Sequence, residues 1–184
     1  LTFNYTVAVG DTTLDLDYIS TSALELNGGT ITDVSTNSAD LTLASPGSVG
    51  SLSASKAIVI DGNVPTVASV TSTNTNRGYT VGATIPITIT FNQTVAVAGT
   101  PQLTLETGTT DAVVDYTSGT STETLIFNYV VAAGHNSGDL DYISTAALNL
   151  NSGTIKDASG NLAILTLPEP GTSGSLSANK TLII

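Results

Sequence analysis

The sequence predicts an all-β fold, and three observations lead to that prediction. Apolar residues alternate with Thr, Ser and Asn over several short segments, which is the period of two that half-buried strands require. Gly, Asn, Asp and Ser cluster between these segments, as turns require. No segment has a convincing apolar stripe of period 3.6, and only residues 21–28 weakly suggest a helical turn.

The strands follow one another along residues 80–184. The clearest alternation, at residues 125–131, places Leu125, Phe127, Tyr129 and Val131 on one face. The other apolar runs are Val81, Ile85, Ile87, Ile89 and Phe91; Leu103 and Leu105; Ala112, Val114 and Tyr116; Leu148, Leu150 and Ile155; Leu165 and Leu167; and Leu176, Leu182 and Ile184. About eight strands in roughly 124 residues are typical of an immunoglobulin-like β-sandwich.

The chain contains an internal repeat. Residues 1–60 align with residues 125–184 without a gap, and 37 of the 60 positions are identical. We therefore divide the chain into residues 1–60, the C-terminal part of one Ig-like repeat, and residues 61–184, a complete repeat with a 124-residue period. The linker lies near residues 60–66. We interpret the chain as part of a longer tandem array.

Residues 1–60 alone would leave apolar faces and strand edges open. Two solutions are available. The N-terminal part of a neighbouring repeat completes residues 1–60 in trans, as in strand exchange, or the physical module spans residues 1–124.

Composition excludes several function classes. The chain has 4 Lys and Arg against 15 Asp and Glu, a net charge of −11, which argues against binding of nucleic acid or anionic lipid. The absence of Cys removes disulfides and thiolate chemistry, and no apolar run is long enough for membrane insertion. The single histidine, His135, lies in a turn, and Asp11 replaces it in the first copy, so we expect no enzyme activity.

Five motifs carry a resemblance to a known family. They are D-x-N-V-P-T-V-x-S-V at 61–70, Y-x-V-G-x-x-I-x-I-x-I-x-F at 79–91, P-Q-L-T-L-E-T-G at 101–108, D-A-S-G-N at 157–161 and S-L-S-A-N-K at 175–180. The pattern resembles the bacterial Ig-like repeats of large secreted and surface adhesins. The resemblance implies an extracellular protein of the bacterial cell surface that acts as a stalk or extender. Its partners would be neighbouring repeats, or other copies joined by strand exchange into a filament or surface layer. It also implies cadherin-like binding of Ca²⁺ between modules.

Acidic residues recur at the same positions in both copies. In each Asp-x-Asp pair the two carboxylates share one face of an extended segment, and each Asp-x-x-x-Asn pair lies in a turn. Ca²⁺ takes six to eight oxygen ligands from such side chains. The alternative is that these residues only form turns and need no metal. The candidate metal ligands are Asp15, Asp17, Asp33, Asn37, Asp61, Asp139, Asp141, Asp157 and Asn161.

Lys56 and Lys180 are candidate crosslink residues. In an extended segment, Lys56 would have the same parity as Leu52 and Ile60. A lysine that faces the core could form an isopeptide bond with Asn or Asp. The alternative is a lysine at a sheet edge or a bulge that points outward. A mass lower by one ammonia or one water would reveal the crosslink.

Overall fold

The computed structural model describes residues 1–184. Its internal contacts divide the chain into a first unit, Leu1–Asn63, and a second unit, Val64–Ile184. The division lies within the segment 60–66. Neither unit contains a helix with the length and apolar character needed to cross a membrane.

The first unit has little regular structure. It contains strand β1 (Thr12–Thr13), helix α1 (Leu52–Ser55) and strand β2 (Ile60–Asp61). Strands β1 and β2 pair antiparallel, with Thr13 opposite Ile60. The rest of the unit consists of turns and extended segments, held by backbone hydrogen bonds such as that from the Leu16 N–H to the Ile58 carbonyl at 2.8 Å.

The regular secondary structure of the second unit consists of strands and one short helix. In chain order it contains β3 (Val67–Ser72), β4 (Arg77–Gly78), β5 (Thr84–Ala98), β6 (Gln102–Glu106), β7 (Ala112–Ser118), β8 (Thr122–Val130), β9 (Asp141–Tyr142), β10 (Leu148–Asn149), β11 (Thr154–Lys156), helix α2 (Leu176–Asn179) and β12 (Leu182–Ile183). The all-β prediction is confirmed.

Eight of these strands form one antiparallel sheet. The order is β10-β6-β7-β8-β5-β11, with β3 also paired to β5 and β9 to β6, while β12 and β4 form a separate parallel pair. Strand β5 is 15 residues long and has two partners in succession, β3 along Ile87–Phe91 and β11 along Ala96–Ala98. A register shift between Thr90 and Val95 interrupts its pairing with β8, as a bulge does.

The predicted alternation forms the core of the second unit. Ile85, Ile87 and Ile89 of β5 are completely buried, as are Leu125 and Phe127 of β8. Val81 was predicted on the same face, but it is exposed, because it lies in a turn before β5 that the Ala83 N–H closes onto the Thr80 carbonyl at 3.0 Å.

The two helices lie where the sequence analysis predicts strands. The weak prediction of a helical turn at 21–28 is wrong, because no helix forms there. Helices α1 and α2 instead follow Ser51 and Ser175, whose hydroxyls accept the N–H of Ala54 at 3.2 Å and of Ala178 at 3.3 Å. A serine N-cap satisfies one of the free N–H groups at the start of a helix, and it was the overlooked signal.

Candidate functional site

Asp17 holds two distant parts of the first unit together. Its Oδ2 accepts hydrogen bonds from the Ser53 hydroxyl at 2.5 Å and from the Gly47 N–H at 3.0 Å. Its Oδ1 accepts the Tyr18 N–H at 2.9 Å. We call this arrangement the carboxylate clamp, because one side chain joins the Asp-x-Asp segment to the loop before α1 and to α1 itself.

Asp141 forms the same clamp in the second unit. Its Oδ2 accepts the Ser177 hydroxyl at 2.6 Å and the Gly171 N–H at 3.0 Å, and its Oδ1 accepts the Tyr142 N–H at 2.9 Å. Asp141 is buried, whereas Asp17 is half-buried. The clamp is therefore a property of the repeated sequence, although Asp141 is more buried and accepts one further N–H, that of Ser177 at 3.4 Å.

The donors around Asp17 stabilise its ionised form. The Ser53 hydroxyl, with the N–H groups of Gly47 and Tyr18, lowers the pKa of Asp17 from 3.8 to about 2, against the opposing effect of desolvation. The carboxylate is thus charged at neutral pH, and both of its oxygens accept hydrogen bonds from N–H or O–H groups of the chain.

The Asp-x-x-x-Asn pairs close two equivalent turns. Asp33 accepts the backbone N–H of Asn37 at 2.9 Å and its side-chain amide at 2.8 Å, and these bonds lower the pKa of Asp33. Asp157 accepts the same two groups of Asn161 at 2.8 and 2.9 Å. Asp157 also accepts the Gln93 amide at 3.2 Å, from outside the repeated segment.

The remaining candidate ligands have separate tasks. Asp15 accepts the Ile58 N–H at 3.3 Å, and Asp139 accepts the Leu182 N–H at 3.1 Å. Asp61 accepts the N–H of residue 63 at 3.1 Å in an Asx turn. The two members of each Asp-x-Asp pair therefore bind different partners, although they lie only two residues apart.

The structure shows these carboxylates as hydrogen-bond acceptors, and their role as calcium ligands stays a prediction. An ionised carboxylate has about four lone-pair sites, and N–H or O–H donors occupy three of those of Asp17. No group of three or more His, Asp or Glu side chains comes together where it could hold a metal ion.

The two candidate crosslink lysines follow the short helices. The Lys56 N–H donates to the Leu52 carbonyl and the Lys180 N–H to the Leu176 carbonyl, each at 2.8 Å. Because residues 52–55 are helical, the parity argument for a core-facing lysine does not apply. The side chain of Lys56 is exposed and that of Lys180 is half-buried.

His135 and Asp11 perform one task in the two copies. Asp11 Oδ2 accepts the Tyr5 hydroxyl at 2.6 Å and the N–H three residues before it at 2.9 Å. The Nδ1 of His135 lies 2.9 Å from the Tyr129 hydroxyl and 3.3 Å from the corresponding N–H. Both side chains therefore serve as acceptors that close a turn, and the exchange of His for Asp preserves that role.

The largest difference between the copies is an apolar groove in the first unit. It has a volume of about 350 Å³ and is lined by Phe3, Tyr18, Ala23, Leu24, Leu43 and Leu52. The six equivalent residues of the second unit are at most 4% exposed: Phe127, Tyr142, Ala147, Leu148, Leu167 and Leu176. The groove of the first unit therefore corresponds to part of the core of the second unit. Open apolar faces were expected in residues 1–60, but the six residues that line the groove were not among the predicted site residues.

Comparison of the chain with models of known protein families, with curated proteins and with solved structures finds no match. The repeated clamp, the repeated turns and the groove are therefore the observations on which a function can be inferred.

Proposed function

We propose that the chain is a structural repeat of a large extracellular bacterial surface protein, in which tandem Ig-like modules form a stalk or extender. The observation that carries the proposal is the repetition of one hydrogen-bonding scheme in both copies. The carboxylate clamp and the Asp-x-x-x-Asn turn of residues 1–60 recur in residues 125–184 with equivalent donors. Side chains whose repeated task is to hold loops are typical of a scaffold.

The second unit supports the Ig-like sandwich within this proposal. The long strand β5 pairs with β3 on one part of its edge and with β11 on the next part. The core is shared by residues from β3, from β5 to β11 and from β12. A sandwich would require this curled sheet to fold into two facing layers around that core, and we propose that it does.

The connection between the units is short. Only residues 62–66 separate β2 from β3. Pro65 lies in this segment and restricts its backbone. A short connection between neighbouring repeats is consistent with the tandem organisation that we propose.

Calcium enters the proposal as a separate, testable prediction. The clamps and turns supply hydrogen-bond donors to their carboxylates, so calcium binding is tested independently of them. Calorimetric titration of the chain with CaCl₂, and melting with and without EDTA, decide whether calcium stiffens the array. Absence of both binding heat and a shift in Tm would remove calcium from the proposal.

The test of the stalk function is growth with repeat number. Chains that carry one, two and four copies of residues 61–184 after residues 1–60 are compared by small-angle X-ray scattering. A stalk predicts that the maximum dimension rises by a constant increment per copy, while each chain stays monomeric. Compact chains whose dimension rises only as the cube root of mass would contradict the proposal.

The second candidate function is a filament or surface layer joined by strand exchange. The exposed apolar residues of the first unit, including Leu1, Phe3 and Tyr5, favour contact with another chain, although exchange of residues 64–124 alone leaves an equal apolar area exposed. Light scattering of the 184-residue chain across a range of concentrations separates the two functions. Filaments would grow with concentration, whereas a stalk module would keep a constant mass.

A further inference from the structure

We propose that the apolar groove of the first unit is a docking site for a polypeptide segment equivalent to residues 64–124. This segment would be supplied from outside these 184 residues. The proposal rests on the tandem organisation proposed above, and it names the partner that the exposed half-module binds. The equivalent half-module, residues 125–184, has its partner in the same chain and shows the contacts that a docked segment would make.

Residues 64–124 provide every strand partner of the C-terminal half-module. Strand β8 lies between β5 and β7, while β9 and β10 both pair with β6. Strand β11 pairs with β5, and β12 pairs with β4. None of the strands from β8 to β12 pairs with another of that group. The equivalent segments of residues 1–60 have no partner of this kind, and residues 1–8 form no strand.

The apolar contacts of the partner are defined by register. Phe127 lies opposite Ile87, Tyr142 opposite Leu105 and Leu148 opposite Leu103. The three equivalent residues of the first unit, Phe3, Tyr18 and Leu24, line the groove. A segment with the side chains of residues 87, 103 and 105 would therefore place apolar groups against the groove. Its register would be the one that these residues have with residues 125–184 in the second unit.

The polar contacts repeat in part. Asp33 would accept the amide of a docked Gln93, as Asp157 does at 3.2 Å. The bond from the Asn179 amide to the Val70 carbonyl at 2.8 Å would not form, because Ser55 replaces Asn179 in the first copy. We therefore expect the docked segment to be held somewhat less tightly than residues 64–124 are held in the second unit.

A second copy of this chain cannot cover the groove by exchange alone. Each chain contains two C-terminal half-modules, 1–60 and 125–184, but only one segment of the 64–124 type. If that segment moves to a neighbour, it uncovers its own residues 125–184. Exchange therefore covers the apolar face of one half-module but exposes the equivalent face of another, so the total exposed area does not fall. Covering both faces requires a further segment equivalent to residues 64–124.

The direct test adds the segment to the full chain. The 184-residue chain is labelled with ¹⁵N and mixed with a separate, unlabelled polypeptide of residues 64–124. We expect amide hydrogen exchange at Phe3 and Tyr5 to slow by about 100-fold or more, since these amides enter a sheet. Exchange at Phe127 and Tyr129, already paired, should not change.

Matched variants distinguish docking from adhesion of an apolar peptide. The segment with Ile87→Asp and Leu103→Asp should give no protection, because charges replace the side chains that face the groove. Phe3→Asp in the labelled chain should also abolish protection while the second unit stays folded, because Phe3 is exposed in the chain alone. Equal protection by the charged segment would overturn the proposal.

A fused chain covers the case in which the free segment aggregates. Residues 64–124 are placed directly before Leu1, so that the junction reproduces the Thr124–Leu125 bond. Protection of the first unit to the level of the second is expected, and an unprotected first unit in this fusion would overturn the proposal. Failure of the stalk function has a different signature, since it alters how size grows with repeat number and leaves this protection unchanged.

Discussion

Residues 1–60 and 125–184 share most of their sequence but differ in burial. Leu1 and Phe3 are 91% and 75% exposed, whereas Leu125 and Phe127 are fully buried. Their local hydrogen bonds nevertheless agree, as between the two carboxylate clamps. Turns and clamps therefore follow from each copy's own sequence, while burial depends on residues 64–124. A residue's contribution to stability should then depend on which copy it occupies.

The largest effect should separate the two equivalent phenylalanines. Phe127→Ala removes a buried ring opposite Ile87 and should destabilise the second unit by about 3–5 kcal/mol. Phe3→Ala removes an exposed ring and should change the stability of the first unit by less than about 0.5 kcal/mol. Urea denaturation of both variants measures the difference. Equal losses would mean that the first copy is also packed.

The clamp should give the next largest effect. Ser177→Ala removes the hydroxyl that donates to the buried Asp141 at 2.6 Å and should cost about 1.5–3 kcal/mol. Ser53→Ala makes the same change beside the half-buried Asp17 and should cost less, because water replaces the lost donor. Thermal melting of the two variants measures the two losses of stability. A larger loss from Ser53→Ala than from Ser177→Ala would contradict this expectation.

A smaller effect is expected at position 135. His135→Ala removes the acceptor of the buried Tyr129 hydroxyl and should cost about 0.5–1.5 kcal/mol. His135→Asp places there the residue that occupies the equivalent position 11, where it accepts the Tyr5 hydroxyl. We expect this variant to recover most of the loss in urea denaturation. If Asp is no better than Ala, the two turns are not equivalent.

The smallest expected effect is a titration in the first unit. The pKa of Asp17 is about 2 in the folded chain and 3.8 without its donors. A lowered pKa stabilises the fold fully above about pH 4, and this stabilisation is lost as the pH falls from about 4 towards 2. The NMR shift of the Gly47 amide, which donates to Asp17, should titrate near pH 2. A midpoint near 3.8 would mean that the clamp is open in solution.

The comparison also shows what sequence can predict. The alternation at 125–131 predicted the buried face of β8 correctly, because a strand with one apolar face has only one way to bury it. The same alternation at 1–7 is exposed, since pairing requires residues distant in sequence. Helices α1 and α2 were missed because two apolar positions two residues apart resemble a strand, although each follows a serine cap.

Most of the candidate site residues lie in loops and turns as their spacing predicts, and their role as metal ligands stays a prediction. The Asp-x-Asp and Asp-x-x-x-Asn pairs do lie in loops and turns, yet their carboxylates accept hydrogen bonds from the chain's own donors. Sequence spacing shows that two carboxylates are neighbours along the chain. It does not show that Ser53 or Gly47, about thirty residues away, will donate a hydrogen bond to one of them.

Hydrogen exchange of the unmodified 184-residue chain tests most directly the claim that residues 64–124 determine burial. The amides of Phe127 and Tyr129, within β8, should exchange only through global unfolding of the second unit. The amides of Phe3 and Tyr5 should exchange at nearly the rate of an open chain, because residues 1–8 form no strand. Equal protection of the two sets in a monomeric chain would contradict the account.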